Sequence, residues 1–315
     1  MQLNQRAARL CDAAIDDAER LKIDYATLDC GTRLIDCGVH ARGGLEAGLF
    51  IARVCTAGLA DVRLLPAPPE VWAGLSVMVT TDHPVAACMA SQYAGWEIKG
   101  EKYFAMGSGP MRAAAAREPL FEKIGQRESP DLAVGILESG KLPPDEVCRR
   151  IAEQCGVAPA ALTLLIAPTS SQAGTIQVVA RSIETALHKL ADLDFDLSVV
   201  EGGLGTAPLP PVAGNDLEGV GRTNDAILYG GEVTLMLRCD DAQIEEVGPR
   251  VPSSVSPDYG SPFLSIFEQY DHDFYRIDPH LFSPAEIRFV NLATGHSFRY
   301  GHKLPRVIHE SFAMR

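Results

Sequence analysis

No apolar run in this sequence approaches the ~20 residues that a bilayer-spanning helix needs, so no membrane-spanning segment is expected. Tracts rich in lysine and arginine are also missing. Basic residues number 28 against 41 acidic ones, a formal net charge of −13. That balance disfavours nucleic acid as a general partner, because neutralising phosphates takes clustered Lys and Arg. There is no GxxxxGK[ST], which argues against a P-loop nucleotide hydrolase. A C-x-x-C pair, H-x-H and H-E-x-x-H are absent as well, so a zinc hydrolase is disfavoured and no metal is expected. The N-terminal segment is amphipathic and carries acids, unlike a signal or transit peptide, so a cytoplasmic location is expected. The eight cysteines, at 11, 30, 37, 55, 88, 148, 155 and 239, are then expected as reduced thiols acting as small hydrophobes.

What is present is ordinary globular chain: 315 residues, 46% hydrophobic and 22% charged, with 28 Gly and 21 Pro. The length suits two domains, with enough chain to bury a large core and still shape a cleft. Residues 2–22 read as an amphipathic helix. Residues 25–30 and 33–39 read as a hairpin through Gly31-Thr32. Arg42-Gly43-Gly44 opens an apolar helix over 45–59, and a proline-rich break follows at 65–69. From there strands alternate with helices: strand 75–81, a helix capped around Asp82-His83-Pro84, strand 96–106, helix 111–124, strand 132–137, helix 144–155, strand 162–167 and one long helix to about 190. A strand over 195–200 leads into an irregular glycine- and proline-rich stretch, 202–211. Strands at 227–237 and 287–291 fall in the tail. This alternation predicts an α/β protein, with the parallel or antiparallel character of its sheets left open.

Several places could carry chemistry. Gly202-Gly203-Leu204-Gly205 is followed by Pro208 and Pro210 where a dinucleotide-binding helix should begin, so it fails as a Rossmann fingerprint. Asp271-His272-Asp273 resembles metal ligands, but adjacent residues rarely share a face and the neighbours are aromatic. Arg181, Glu184 and His188 follow one another at helical spacing, with Ile183, Leu187 and Leu190 on the other face. They read either as a surface ion pair or as a functional group placed after the strand end bearing Thr169, Ser170 and Ser171, where α/β proteins gather ligands. Gly107-Ser108-Gly109 is either an anion cradle or a tight turn. Thr80-Thr81-Asp82 is either a helix cap or cleft lining.

Five motifs together, VTTDHP (79–84), SQYAGW (91–96), YFAMGSGP (103–110), ARSIET (180–185) and GRTND (221–225), resemble the methenyltetrahydromethanopterin cyclohydrolase family, and the likeness continues through Ile277-Asp278-Pro279. The resemblance implies two α/β domains with a ligand cleft between them, expected at 1–125 and 126–315 with interleaving of the two left open. It also implies a homotrimer and a reversible hydrolysis in one-carbon metabolism (methylotrophy, formaldehyde oxidation) that uses neither metal nor nucleotide cofactor. The substrate would be the cyclic methenyl cation of tetrahydromethanopterin, and the product the N5-formyl compound. The family's active glutamate and neighbouring arginine fall on Glu184 and Arg181, with an assisting lysine at Lys99 or Lys102. Contacts to the pterin are expected from Thr80, Thr81, Asp82, Ser91, Gln92, Trp96, Gly107, Ser108, Gly109, Thr169, Ser170, Ser171, Arg222, Asn224 and Asp225. Two other readings stay open: a pterin or phosphate carrier without chemistry, and a cyclohydrolase acting on the tetrahydrofolate analogue.

Overall fold

A computed structural model describes residues 1–312; residues 313–315, the last three of the expected second domain, lie outside the described residues. The chain forms two compact units and is threaded twice through each, so no single boundary at 125/126 divides it. Unit 1 holds Met1–Ala60 and Ala86–Gln177, and unit 2 holds Asp61–Val85 and the chain from Val178 onward.

Among the described residues each unit is built on one six-stranded mixed sheet. Numbered along the chain, the strands of unit 1 are β1 (Asp24–Thr27), β2 (Arg33–Asp36), β5 (Trp96–Lys99), β6 (Phe104–Ser108), β7 (Ala133–Glu138) and β8 (Leu162–Ala167). They lie in the order β1-β2-β8-β7-β6-β5. Parallel pairing is confined to β2, β8 and β7. The central strand β8, LTLLIA, is buried at every position, as a strand covered on both faces must be. Its alternate side chains feed two cores. Leu165 and Ala167 pack with the helices Leu3–Ile15 and Leu45–Cys55. Leu162, Leu164 and Ile166 pack with the helix Asp145–Gln154. This is the α/β architecture that the alternation predicts.

Unit 2 contains β3 (Asp61–Pro66), β4 (Leu75–Thr81), β9 (Val200–Pro208), β10 (Glu232–Leu237), β11 (Glu286–Asn291) and β12 (Ser297–Gly301). Their order is β12-β11-β10-β9-β4-β3, antiparallel throughout except between β10 and β11.

Several local expectations are corrected. Residues 96–106 form two strands, β5 and β6, because the polar Glu101-Lys102 makes a hairpin tip closed by the Gly100 amide donating to the Tyr103 carbonyl at 2.8 Å. The helix expected over 111–124 breaks into Met111–Ala115 and Leu120–Ile124, with Ala116 left-handed at φ 43° and Pro119 starting the second piece. Residues 85–92 are a π-helix. The segment read as a strand at 227–237 is helical up to Gly230, in a helix Asp216–Gly230 capped by Asn215 Oδ1, and only then becomes β10. Residues 195–200 give no strand of their own: a single 3₁₀ turn, Leu197–Val199, runs straight into β9.

The largest correction falls on 202–211. Most of this stretch is β9, a strand held between β4 and β10. Glycines lower strand propensity, but here they make room. A Cβ on Gly205 would stand 2.3 Å from Ser182 Oγ, and one on Gly203 would stand 3.3 Å from an Ile183 methyl. The bare strand therefore lets the helix Ser182–Asp192 lie close against the sheet. That helix carries Glu184.

Candidate active site

The long helix expected through 190 is two helices, Gln172–Val179 and Ser182–Asp192, broken at Ala180-Arg181. Arg181 takes the N-cap position of the second, with φ −90° and ψ 9°, and its carbonyl accepts from the Thr185 amide at 2.9 Å. Glu184 therefore sits in the first turn, where the helix dipole favours a carboxylate. Arg181 and Glu184 are each 5% exposed, which removes the surface-pair reading for them. His188 stands apart: its Nδ1 lies 3.6 Å from Asp192 near the helix end.

In unit 2 the helix start shares a strand with the end of β4. Thr81 pairs in register with Gly203 and Thr80 with Leu204, and Ile183 packs over Gly203. Thr81 Oγ1 accepts from the His83 amide at 3.0 Å, so it caps the turn that contains Asp82. Thr81 thus lies across the ladder from the glycine over which Ile183, the residue before Glu184, packs.

The other motif of this unit, GRTND, lies on the helix Asp216–Gly230. Arg222 donates to the carbonyls of Pro211 and Val212, both at 3.2 Å, and Asn224 to that of Val220 at 2.9 Å. Asp225 is wholly buried, and its Oδ1 accepts from the Phe263 amide at 2.8 Å, capping the helix Phe263–Gln269. Burial pushes its carboxyl up from 3.8 to about 7, the largest influence on it. Between those two values the native protein therefore keeps a proton that the unfolded chain has released. Asp225 supports the fold below the unfolded value, and this support is lost as pH rises through about 7. Asp225→Asn keeps an oxygen for the Phe263 amide and cannot ionise. The variant's melting temperature relative to wild type should rise between about pH 5 and about pH 8, by several degrees if roughly 2 kcal/mol is recovered. A difference that is flat across pH would contradict this.

Unit 1 holds the remaining candidates, in two groups. Thr169, Ser170 and Ser171 follow β8. The Thr169 carbonyl accepts from Thr175 Oγ1 at 3.0 Å. Ser171 Oγ donates to the Pro168 carbonyl at 2.8 Å and accepts from the Gly174 amide at 3.0 Å, capping Gln172–Val179. The carboxyl ends of β2, β8 and β7 gather here, where parallel strands end together. At the end of β2, Asp36 accepts from the amides of residues 38, 39, 40 and 41 within 3.1 Å, fixing the next loop. Glu138, closing β7, accepts from Gln177 Nε2 at 2.8 Å.

The second group is an internal knot. Ser91, Gln92 and Ser108 are fully buried. Ser91 Oγ donates to the Cys55 carbonyl at 2.6 Å, and the Gly109 amide donates to the Ser91 carbonyl at 2.8 Å. Gly109 has φ +88°, and a Cβ there would meet Ile136 at 2.5 Å. The run Gly107-Ser108-Gly109 is thus a tight turn at the end of β6 that only glycine fits at its last position. Trp96 is buried in β5, with the Arg117 guanidinium 5.5 Å over its ring. Lys99 pairs with Glu97 at 2.6 Å and Lys102 stands on the exposed hairpin tip. All eight cysteines are free; burial pushes the Cys11 and Cys155 thiols up to about 12, which leaves them inert.

Elsewhere in unit 2, Asp271 pairs with Arg276 at 2.6 Å and Asp273 Oδ1 accepts from the Tyr275 amide at 3.0 Å, so these two carboxylates serve their own loop. One residue of the site helix was not anticipated. Lys189, 1% exposed, directs its ammonium at His280. A lysine five positions after Glu184 reads in sequence as an exposed polar residue, and only the fold shows otherwise.

A buried carboxylate at a helix start, with a buried arginine one turn before it, is an arrangement suited to general acid–base chemistry. The chain belongs to the cyclohydrolase (MCH) family, whose model matches residues 2–312. Among its relatives, the methenyltetrahydromethanopterin cyclohydrolase of Rhodopirellula baltica is 48% identical, covering 90% of this chain and 87% of that one. The enzyme of the same name from Methylobacterium sp. (strain 4-46) is 44% identical over 99% of this chain and 97% of its own. That of Methanococcoides burtonii is 38% identical over 100% and 99%.

Proposed function

We propose that the protein hydrolyses the methenyl group of N5,N10-methenyltetrahydromethanopterin, reversibly, to the N5-formyl compound, with Glu184 as general base. The relatives' shared name supports the substrate. The observation that supports the mechanism is the enclosure of Glu184 in the first turn of its helix.

The methenyl carbon lies between two nitrogens that share a positive charge, so the electrophile arrives already activated. What is slow is attack by neutral water. As the water oxygen bonds to that carbon, Glu184 accepts one of its protons, leaving a neutral tetrahedral adduct. The glutamic acid then returns the proton to N10, the C–N10 bond breaks and the formyl C=O forms. The hydroxyl proton leaves for solvent, which balances the charge of the cationic substrate. Arg181 stays protonated at any ordinary pH and is no base. Its part is to hold the carboxylate ionised and oriented.

The experiment that tests this reading compares the methenyl derivatives of tetrahydromethanopterin and tetrahydrofolate side by side, following loss of methenyl absorbance. Preference for the first by at least about tenfold in kcat/KM, roughly 1.4 kcal/mol of barrier, is expected. Binding without loss of absorbance would mean a carrier, and preference for the second would move the substrate assignment to the folate analogue.

A further inference from the structure

Lys189 lies on the same helix as Glu184, and its Nζ stands 2.7 Å from His280 Nδ1 and 3.0 Å from the His280 carbonyl oxygen. At 3.6 residues per turn it is about 140° round the axis from Glu184 and nearly in line with Ser182, about 10 Å further along. The turn that receives it is itself anchored. Asp278 accepts from the His280 amide at 3.1 Å, and its own amide donates to Asp258 Oδ2 at 3.1 Å. Asp258 Oδ1 accepts from the Tyr270 hydroxyl at 2.9 Å. The helix is thus held at its start by Ser182 and Ile183 on the glycines of β9, and at its end by Lys189 on residues 278–280.

A buried ammonium is a poor way to gain stability, since leaving water costs it more than methionine of similar length would lose in the same space. Burial accordingly pulls the Lys189 ammonium down to about 8, against the pull of Asp278 and Asp192. What lysine adds over methionine is direction, through two bonds to one fixed turn. We infer that Lys189 is a positioning residue for the reaction: its bonds to His280 fix the roll of the helix and so the place at which the Glu184 carboxylate meets the water. This inference rests on the reading of Glu184 as the base.

The test is a double-mutant cycle on the full chain with Lys189→Met, Glu184→Gln and the pair. Lys189→Met should lower kcat by about 10–100-fold with KM changed less than about threefold, because a displaced base still leaves the substrate its contacts. Its melting temperature should equal or exceed that of wild type, which a lysine kept for stability would not allow. In the Glu184→Gln background the same change should lower kcat by less than about twofold, since a base already absent cannot be misplaced. Should Lys189→Met fail to fold, His280→Asn carries the test: it removes the imidazole contact, keeps the carbonyl, and should lower kcat in the same direction by less. Full multiplication of the two losses, or an unchanged kcat in a folded Lys189→Met, overturns the inference while leaving Glu184 as base. Wild-type turnover in Glu184→Gln alone overturns the reading of the base, and this inference with it.

Discussion

Replacing Glu184 with glutamine is expected to lower kcat by about 10²–10⁴-fold, or roughly 3–5 kcal/mol of barrier, while substrate binding persists. Glutamine keeps the size and hydrogen-bonding edge of a side chain that is only 5% exposed, yet it cannot accept a proton from water. Glu184→Asp should fall between the two. It retains the base but draws the carboxylate back by one methylene, and a displacement on the order of 1 Å is enough to cost about 100-fold. Steady-state loss of methenyl absorbance, measured beside a substrate titration, gives kcat and affinity separately. Other groups on the helix offer no substitute. His188 is turned to Asp192, Lys189 is held by His280, and Arg181 cannot give up its proton.

The second large effect belongs to Arg181. Arg181→Ala should lower kcat by about 100-fold and Arg181→Lys by about tenfold, with smaller changes in KM. Lysine keeps the charge but loses the planar fork that holds a carboxylate at two points. Arg181 is also the residue at which the chain turns from one helix into the next, so circular dichroism and melting curves must accompany the kinetics. Loss of turnover with an intact fold supports the positioning role. Wild-type kinetics in both variants would show that the arginine only fills space.

The architecture of unit 1 was legible in outline because its strands obey local rules. The hairpin of β1 and β2 turns where Gly31, at φ +92°, takes a backbone conformation that suits glycine, and β8 is a short apolar run ended by Pro168. Unit 2 was harder because its central strand contradicts its own propensity. Gly203 and Gly205 look like part of a loop until the helix that needs their bareness is in place. Tertiary packing overrode local preference there. The break at Ala180-Arg181 was hidden for the opposite reason: no proline or glycine marks it, and apolar spacing runs across it. Arg181 and Glu184 could be named from their motif, but their burial could not, since Arg-x-x-Glu on an amphipathic helix usually faces water. Lys189 left no trace at all, because its partner His280 lies 91 positions away.

The most direct test of Glu184 as the base is a single-turnover experiment with enzyme in excess over the methenyl substrate. Mixing Glu184→Gln with substrate should give a complex whose methenyl absorbance persists, decaying about 10²–10⁴ times more slowly than with wild type. Decay within a few-fold of the wild-type rate would contradict the mechanism and leave Glu184 a buried partner of its own helix.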